Sequence, residues 1–336
     1  MKGIVFTGNS ECVVREFPTP EPGHGEVLLR IMATGICGSD LSEYRRESAI
    51  DQIRGHEPAG VVEAVGEGVK RVKPGDRVSV HHHQGCGVCD SCARGETVAC
   101  PEDRVVGVST GGSFAEFTVV DERNCIPLAD SASFIDGAFM ACVGGTAWGA
   151  YTRLEVKPCD SVVVFGLGPV GLSCVLVGKA LGLRVIGVDV AAERVAFAQD
   201  ACGSDAGVDA SEADCVAAVH EFTGRGADNV IETSGAASAR RNIIPSLRRG
   251  GKAAIVGVGS TEAVINPSDI HGKACTIIGS VVFPLGWMWD LSRFIGLSGM
   301  SFEPAVTHRL SLDQAGEALK LADDAKCGKV VFLPHG

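Results

Sequence analysis

Cys86-x2-Cys89-x2-Cys92-x7-Cys100 brings four thiols into fifteen residues, and no other stretch ties the chain so firmly to one local structure. The two short gaps put neighbouring sulfurs close enough to share one ion. The longer gap lets the backbone turn back and close a tetrahedron. This is the pattern of a structural four-cysteine zinc site, held in a small lobe over 85–101, with every coordination position filled by protein. Disulfides are the other use of such thiols. They suit secreted chains, and the N-terminus (MKGIVFTGNSECVV) has no long apolar core and reads as a first strand. The expectation is a cytoplasmic protein that keeps its thiols reduced and metal-bound.

The chain has 336 residues, enough for two domains with sizeable cores. Its 44 glycines and 45% hydrophobic content suit an α/β protein with many tight strand–helix turns. A net charge of -11 argues against nucleic acid as a partner, and no basic run points to a membrane surface. Six of the 14 cysteines have metal roles in this reading; the others, Cys174 and Cys202 among them, are expected as small core residues. Ser161 to Gly178 is apolar and about as long as a membrane span. Gly166, Gly168, Pro169 and Gly171 interrupt it, so it reads as strand, turn and buried helix.

Two rhythms divide the sequence. Residues 1–146 read as β-rich, with strand-like runs at Val27–Ile31, Gly60–Val65 and Arg77–Val80 between Pro and Gly turns. Residues 147–282 alternate strands with helices: β runs at Val162–Phe165, Val185–Val188, Asn229–Glu232, Ala253–Val256 and Thr276–Gly279, and helices such as Glu193–Asp200 and Ala213–Phe222. That alternation predicts a doubly wound parallel sheet. Residues 283–336 add a helix at Asp313–Ala322 and a last strand at Lys329–Leu333.

The buried run Val162–Phe165 leads into Gly166-Leu167-Gly168-Pro169-Val170-Gly171 and then a helix. Gly166 makes the sharp turn, Gly168 lets the backbone approach a pyrophosphate, and Gly171 allows close helix–strand packing. The helix N-terminus offers free N–H groups to phosphates. Asp189 ends the next strand about twenty residues on. A carboxylate there can accept both adenosine ribose hydroxyls and would repel a 2′-phosphate, which favours NAD over NADP; a helix cap is its other reading. Arg194, on the helix that follows, joins the candidate cofactor-binding residues.

Cys37 (in Gly35-Ile36-Cys37-Gly38-Ser39-Asp40), His56 beside Glu57, and Cys142 form a second candidate group. Two thiolates and one imidazole would hold an ion and leave a fourth position open for water or an alcohol, the catalytic type of zinc site. Asp40 is the expected carboxylate orienting His56, with Glu57 near the ion but not a resident ligand. Each residue alone has an ordinary reading, the cysteines as core and the histidine as a hydrogen-bonded side chain.

Taken together these motifs resemble the zinc-dependent medium-chain dehydrogenase/reductase family, in its zinc alcohol/polyol dehydrogenase type. Gly55-His56-Glu57-x-x-Gly60, with Gly66 and Val69 after it, is similar to that family's zinc signature. The likeness runs from Gly-Ile-Cys-Gly-Ser-Asp through the four-cysteine lobe and the glycine turn to Gly328-Lys329-Val330-Val331. It implies a GroES-like catalytic domain interrupted by a Rossmann NAD-binding domain, with the active site in the cleft between them. It implies two zinc ions per chain, one catalytic (Cys37, His56, Cys142, with Glu57 as an alternate ligand) and one structural. It implies that Ser39 hydrogen-bonds the substrate hydroxyl and starts a proton relay, that Lys329 contacts the cofactor pyrophosphate, and that the enzyme is a homodimer or homotetramer.

Departures from the family pattern sharpen the expectation. Ser42 stands where many members carry a relay histidine. Ala141 stands where polyol and threonine dehydrogenases often carry an acidic residue, which favours a Cys/His/Cys site. His81-His82-His83 falls where related enzymes build a wall of the substrate pocket. A histidine wall would suit a hydroxylated substrate; an exposed strand end with solvated imidazoles is the alternative. Trp287 and Trp289 are read equally as pocket wall or as core or dimer contact. The leading function is NAD-linked interconversion of a secondary alcohol, such as a polyol, sugar or cyclitol, with its ketone, by hydride transfer from a zinc-bound alkoxide. A primary-alcohol/aldehyde oxidoreductase and a non-catalytic NAD sensor are the alternatives.

Overall fold

Glycine and proline turns cut the first third of the chain into short β segments. In the computed structural model of the protein, which describes residues 1–325 and 328–336, β1 (Lys2–Gly8) and β2 (Glu11–Glu16) form a hairpin. They are followed by β3 (Glu26–Gly35), α1 (Gly38–Tyr44), β4 (Pro58–Val65) and β5 (Arg77–Val80). The cysteine lobe contains β6 (His83–Gln84), α2 (Asp90–Ala93) and β7 (Arg104–Val105). Next come β8 (Phe117–Asp121), β9 (Cys125–Pro127), α3 (Phe134–Ala141) and α4 (Val143–Leu154). The strand–helix alternation then runs β10 (Ser161–Phe165), α5 (Pro169–Ala180), β11 (Arg184–Asp189), α6 (Ala192–Asp200), β12 (Ala206–Asp209), α7 (Cys215–Thr223), β13 (Ala227–Glu232), α8 (Ala237–Ser246), β14 (Leu247–Ile255), α9 (Pro267–Lys273) and β15 (Thr276–Gly279). The chain closes with α10 (Leu285–Ser298), β16 (Val306–Leu310), α11 (Ala315–Asp323) and β17 (Lys329–Phe332).

Contacts group these elements into two units, Met1–Gly145 with Phe283–Gly336, and Thr146–Val282. The first unit is built on a sheet of order β16-β17-β3-β4-β5-β9, with β8 also paired to β3. Strand β3 alternates Val27, Leu29 and Ile31 into a core shared with Val62, Val78, Val80 and Val120. A second core gathers Ile4, Phe6, Phe114, Leu319 and Phe332, so the last strand is pinned by residues from the first.

The second unit is a six-stranded sheet of order β12-β11-β10-β13-β14-β15, parallel throughout. The doubly wound order of a dinucleotide-binding fold results, with its crossing point beside β10. Central strand β10 is buried along its whole length, as its unbroken Val-Val-Val-Phe run requires between helices on both faces.

Helix boundaries moved where capping chemistry decided them. The helix expected from Ala213 starts at Cys215, because the Asp214 carboxylate accepts from the amides of Val216 and Ala217. The one expected from Asp313 begins as a 3-10 turn over Leu312–Gln314 and turns α-helical at Ala315. Cys125, Cys174, Cys202, Cys215 and Cys275 are core residues, but Cys159 is exposed, and Cys327 lies outside the described residues. No described helix is long and apolar enough to cross a membrane.

Candidate active site

Strand β3 ends one residue before Ile36, and Cys37 then caps α1. Asp40 completes a capping box: its Oδ2 accepts from the Cys37 amide at 2.8 Å, while its Oδ1 lies 3.0 Å from His56 Nδ1. One buried carboxylate thus fixes the backbone at the thiol and the orientation of the ring, leaving Nε2 to face the sulfurs. Cys142 occupies the break between α3 and α4. Its Sγ is 4.0 Å from that of Cys37, although the residues are 105 apart in sequence. Ligand atoms of Cys37, His56, Glu57 and Cys142 all lie within 4.8 Å of one another.

This donor set fits zinc. Two thiolates bound tetrahedrally at about 2.3 Å would sit about 3.8 Å apart, and a disulfide would need about 2.05 Å. The electrostatics agree. The Cys142 contact holds the Cys37 thiol well below its ordinary range, and the same contact, with burial, pushes Cys142 well above its own. By itself the buried pair carries one negative charge easily and two only with a cation.

Glu57 and Lys329 are both fully buried. Lys329 Nζ lies 2.8 Å from Glu57 Oε1, to which it donates, and 2.6 Å from Oε2. Oε2 has this charge contact but no hydrogen bond of good geometry. Burial pushes the Glu57 carboxyl up to about 7 against the pull of Lys329. The Lys329 ammonium, for which the resemblance implies a pyrophosphate contact, is enclosed here and paired with Glu57 at the first position of β17.

Ser39 lies exposed in the first turn of α1, two residues beyond Cys37, and its carbonyl accepts from the Ser42 hydroxyl at 2.7 Å. The histidine run is not a solvated strand end. His81 and His82 are buried; His81 pairs through Nε2 with the Phe283 carbonyl at 2.9 Å, and His83 pairs with Asp103. The His82 ring is 5.1 Å from that of His56, and its Nδ1 donates to the Ala141 carbonyl at 2.7 Å. Burial first, then His56, hold the His82 imidazole well below its usual range, so it is neutral with Nε2 as an acceptor. The Arg71 guanidinium lies over Trp289, 5.5 Å from the centre of the Trp289 ring.

In the lobe, the sulfurs of Cys86, Cys89, Cys92 and Cys100 lie within 4.8 Å of one another. The Cys86 amide points at Cys100 Sγ (3.3 Å) and the Cys92 amide at Cys89 Sγ (3.5 Å). Amides aimed at sulfur stabilise thiolates, and hydrogen bonds from the Val88 and Cys89 amides hold the Cys86 thiol down at about 7.

Within the second unit, Gly166, Gly168, Asp189 and Arg194 line a cavity of about 380 Å³. Gly166 has φ +89°, and a Cβ there would sit 2.8 Å from that of Ser234. A Cβ on Gly171 would sit 1.9 Å from the Gly166 carbonyl, so the turn closes only without side chains. Pro169 opens α5 and Val170 follows it in the first turn. The Asp189 carboxylate accepts from the amides of Leu167 (2.7 Å) and Ala191 (3.1 Å) and lies 3.6 Å from Arg194. Each oxygen keeps a lone pair for a further donor. Thr233, which the sequence did not single out, donates its hydroxyl to the Gly166 carbonyl at 2.8 Å; only the fold brings it there.

Comparison with known proteins agrees with this geometry over nearly the whole chain. The alcohol dehydrogenase GroES-like domain profile matches residues 23–130, and the zinc-binding dehydrogenase profile matches residues 169–292. The chain belongs to the zinc-dependent medium-chain dehydrogenase/reductase family. An uncharacterised zinc-type alcohol dehydrogenase-like protein of Escherichia coli is 37% identical, with 99% of this chain and 98% of that protein covered. An L-threonine 3-dehydrogenase of Pyrococcus horikoshii is 33% identical, with 95% and 94% covered. The solved structure of an alcohol dehydrogenase from Thermus sp. ATN1 superposes with a TM-score of 0.92 at 29% identity, covering 99% of each chain. As a member of this dehydrogenase family the protein is an oxidoreductase of the alcohol dehydrogenase type.

Proposed function

We propose that this dehydrogenase interconverts a secondary alcohol, on a polyol, sugar or cyclitol, with its ketone, using NAD and two zinc ions per chain. The observation that carries the reading is the Cys37–His56–Cys142 cluster, with Glu57 beside it and charge-paired to Lys329. Cys37, His56 and Cys142 would hold a zinc ion and would leave a coordination position open for an oxygen ligand. When bound, zinc would supply Lewis-acid polarisation and NAD would supply hydride-accepting capacity. The chain's own residues supply the rest. Asp40 holds His56 in one orientation and one tautomer. Ser39, exposed beside Cys37, is the group to take the hydroxyl proton and pass it outward. His82, buried with its ring 5.1 Å from that of His56, supports a hydroxylated rather than an apolar substrate. Asp189, with room for two more hydrogen bonds at the cavity edge, supports NAD over NADP. Thr276–Gly279 is one of the two edge strands of its sheet and supports pairing across a twofold axis in a homo-oligomer.

The test is a panel of polyols, sugars, cyclitols and simple primary alcohols, each offered to zinc-loaded enzyme with NAD while NADH absorbance is followed. Turnover confined to secondary hydroxyls with a neighbouring hydroxyl is expected. Preference for primary alcohols, or no turnover of any alcohol, defeats the reading.

A further inference from the structure

Two loops leave the carboxyl ends of β13 and β14, the edge at which doubly wound sheets bind their ligands. Thr233, Ser234 and Ala236 of the first loop line the same cavity as Gly166 and Asp189. The loops are zipped together by backbone: Val256 and Gly257 donate to the Glu232 carbonyl at 2.8 and 2.9 Å, and Ser260 donates to the Gly235 carbonyl at 2.8 Å. A Cβ on Gly257 would lie 2.2 Å from the Gly235 amide nitrogen, so the approach is as close as main chains allow.

Behind this junction lies an ion pair that the dehydrogenase reaction itself does not use. Glu232, the last residue of β13, is fully buried. Its Oε1 accepts from the Ser234 amide (2.7 Å), the Ser234 hydroxyl (2.6 Å) and the Gly235 amide (2.7 Å). Its Oε2 has no hydrogen bond and faces Arg240 Nε at 3.5 Å, which has none either. The other two guanidinium nitrogens of Arg240, on α8, donate to the carbonyls of Ser260 and of Gly257, the latter at 2.8 Å. The carboxylate therefore shapes the first loop, the guanidinium holds the second, and each faces the other's charge. Only a planar fork reaches all three directions at once; an ammonium cannot.

We propose that Glu232 and Arg240 are positioning residues for the cofactor pocket, fixing the loops after β13 and β14 in the shape the dinucleotide meets. The route to the cofactor is short. Thr233 donates to the Gly166 carbonyl, and Ser234 abuts Gly166 so closely that no side chain fits there. A shift of the first loop is transmitted directly to the phosphate-binding turn. The proposal rests on the reading of that cavity as the NAD site.

The experiment compares zinc-loaded wild type with Arg240→Lys and Arg240→Gln, using NADH as the probe. NADH affinity is read by fluorescence titration, loop order by amide hydrogen exchange over 233–236 and 256–260, and folding by thermal melting. Both variants are expected to stay folded, to bind NADH roughly tenfold more weakly, and to exchange faster in both loops, with Arg240→Lys the milder. Folded variants that bind NADH within about twofold of wild type overturn the proposal. Loss of folding in both makes the pair a folding element rather than a positioning one and also overturns it. A wild type that binds no NADH overturns the cavity reading and this proposal with it.

Discussion

Lys329 and Glu57, 272 residues apart in sequence, form a fully buried ion pair directly behind the Cys37–His56–Cys142 cluster. Removing one partner strands the other charge in a dry interior, a cost of about 3–5 kcal/mol. Lys329→Met should therefore lower stability by that order, and the double variant Glu57→Gln/Lys329→Met should recover much of the loss. Thermal melts of the zinc-loaded proteins check it; a double variant no better than the single one contradicts the pairing.

The two cysteine groups predict separable metals. Cys89→Ser should lose one zinc and destabilise the fold, because binding of a structural ion is folding free energy. Cys37→Ser should abolish turnover and leave the lobe ion in place. Native mass spectrometry counts the ions, and loss of both from either variant would rule out independent sites.

Asp189→Ala should weaken NAD binding and relax the exclusion of NADP, through lost ribose hydrogen bonds and lost repulsion of a 2′-phosphate. Titration with both reduced cofactors decides. Wild type favouring NADPH would contradict the assignment, and the nearby Arg194 would become the dominant contact.

Ser39→Ala should slow turnover by about 10²–10⁴, the usual worth of a positioned proton-transfer group, while NADH affinity stays unchanged. Near-full turnover under conditions where chemistry limits the rate would remove Ser39 from the relay.

Asp228 predicts a pH dependence of stability. Burial raises its carboxyl pKa, but hydrogen bonds from Arg248 and Ser161 outweigh that and hold it at about 2. A depressed folded pKa stabilises fully above the unfolded value near 4, and the contribution fades as pH falls from about 4 toward about 2. Asp228→Asn should be less stable than wild type by about 2 kcal/mol near neutral pH, with the gap narrowing below about pH 4. Denaturant unfolding across that range checks the sign; a constant gap would mean the carboxylate's charge is not the cause.

Short-range patterns determined much of this protein from sequence alone. The lobe thiols lie within fifteen residues, so their spacing already sets which sulfurs can meet. The Val162–Phe165 strand, the glycine turn and the helix after it are contiguous, and the structure repeats them as β10, turn and α5. Asp40 beside His56 was legible because a metal-binding imidazole needs a carboxylate to orient it and Asp40 lies three residues after Cys37. What only the tertiary structure decided involves distant partners. The Cys37–Cys142 approach, the burial of Lys329 under Glu57, the enclosure of His81 and His82, and the Glu232–Arg240 bridge between two loops leave no local signature. Spacing reports on residues one turn or one strand apart. Whether a charge meets water or a partner is set by packing of segments far apart in the chain, where desolvation makes an unpaired group costly and a single partner decisive.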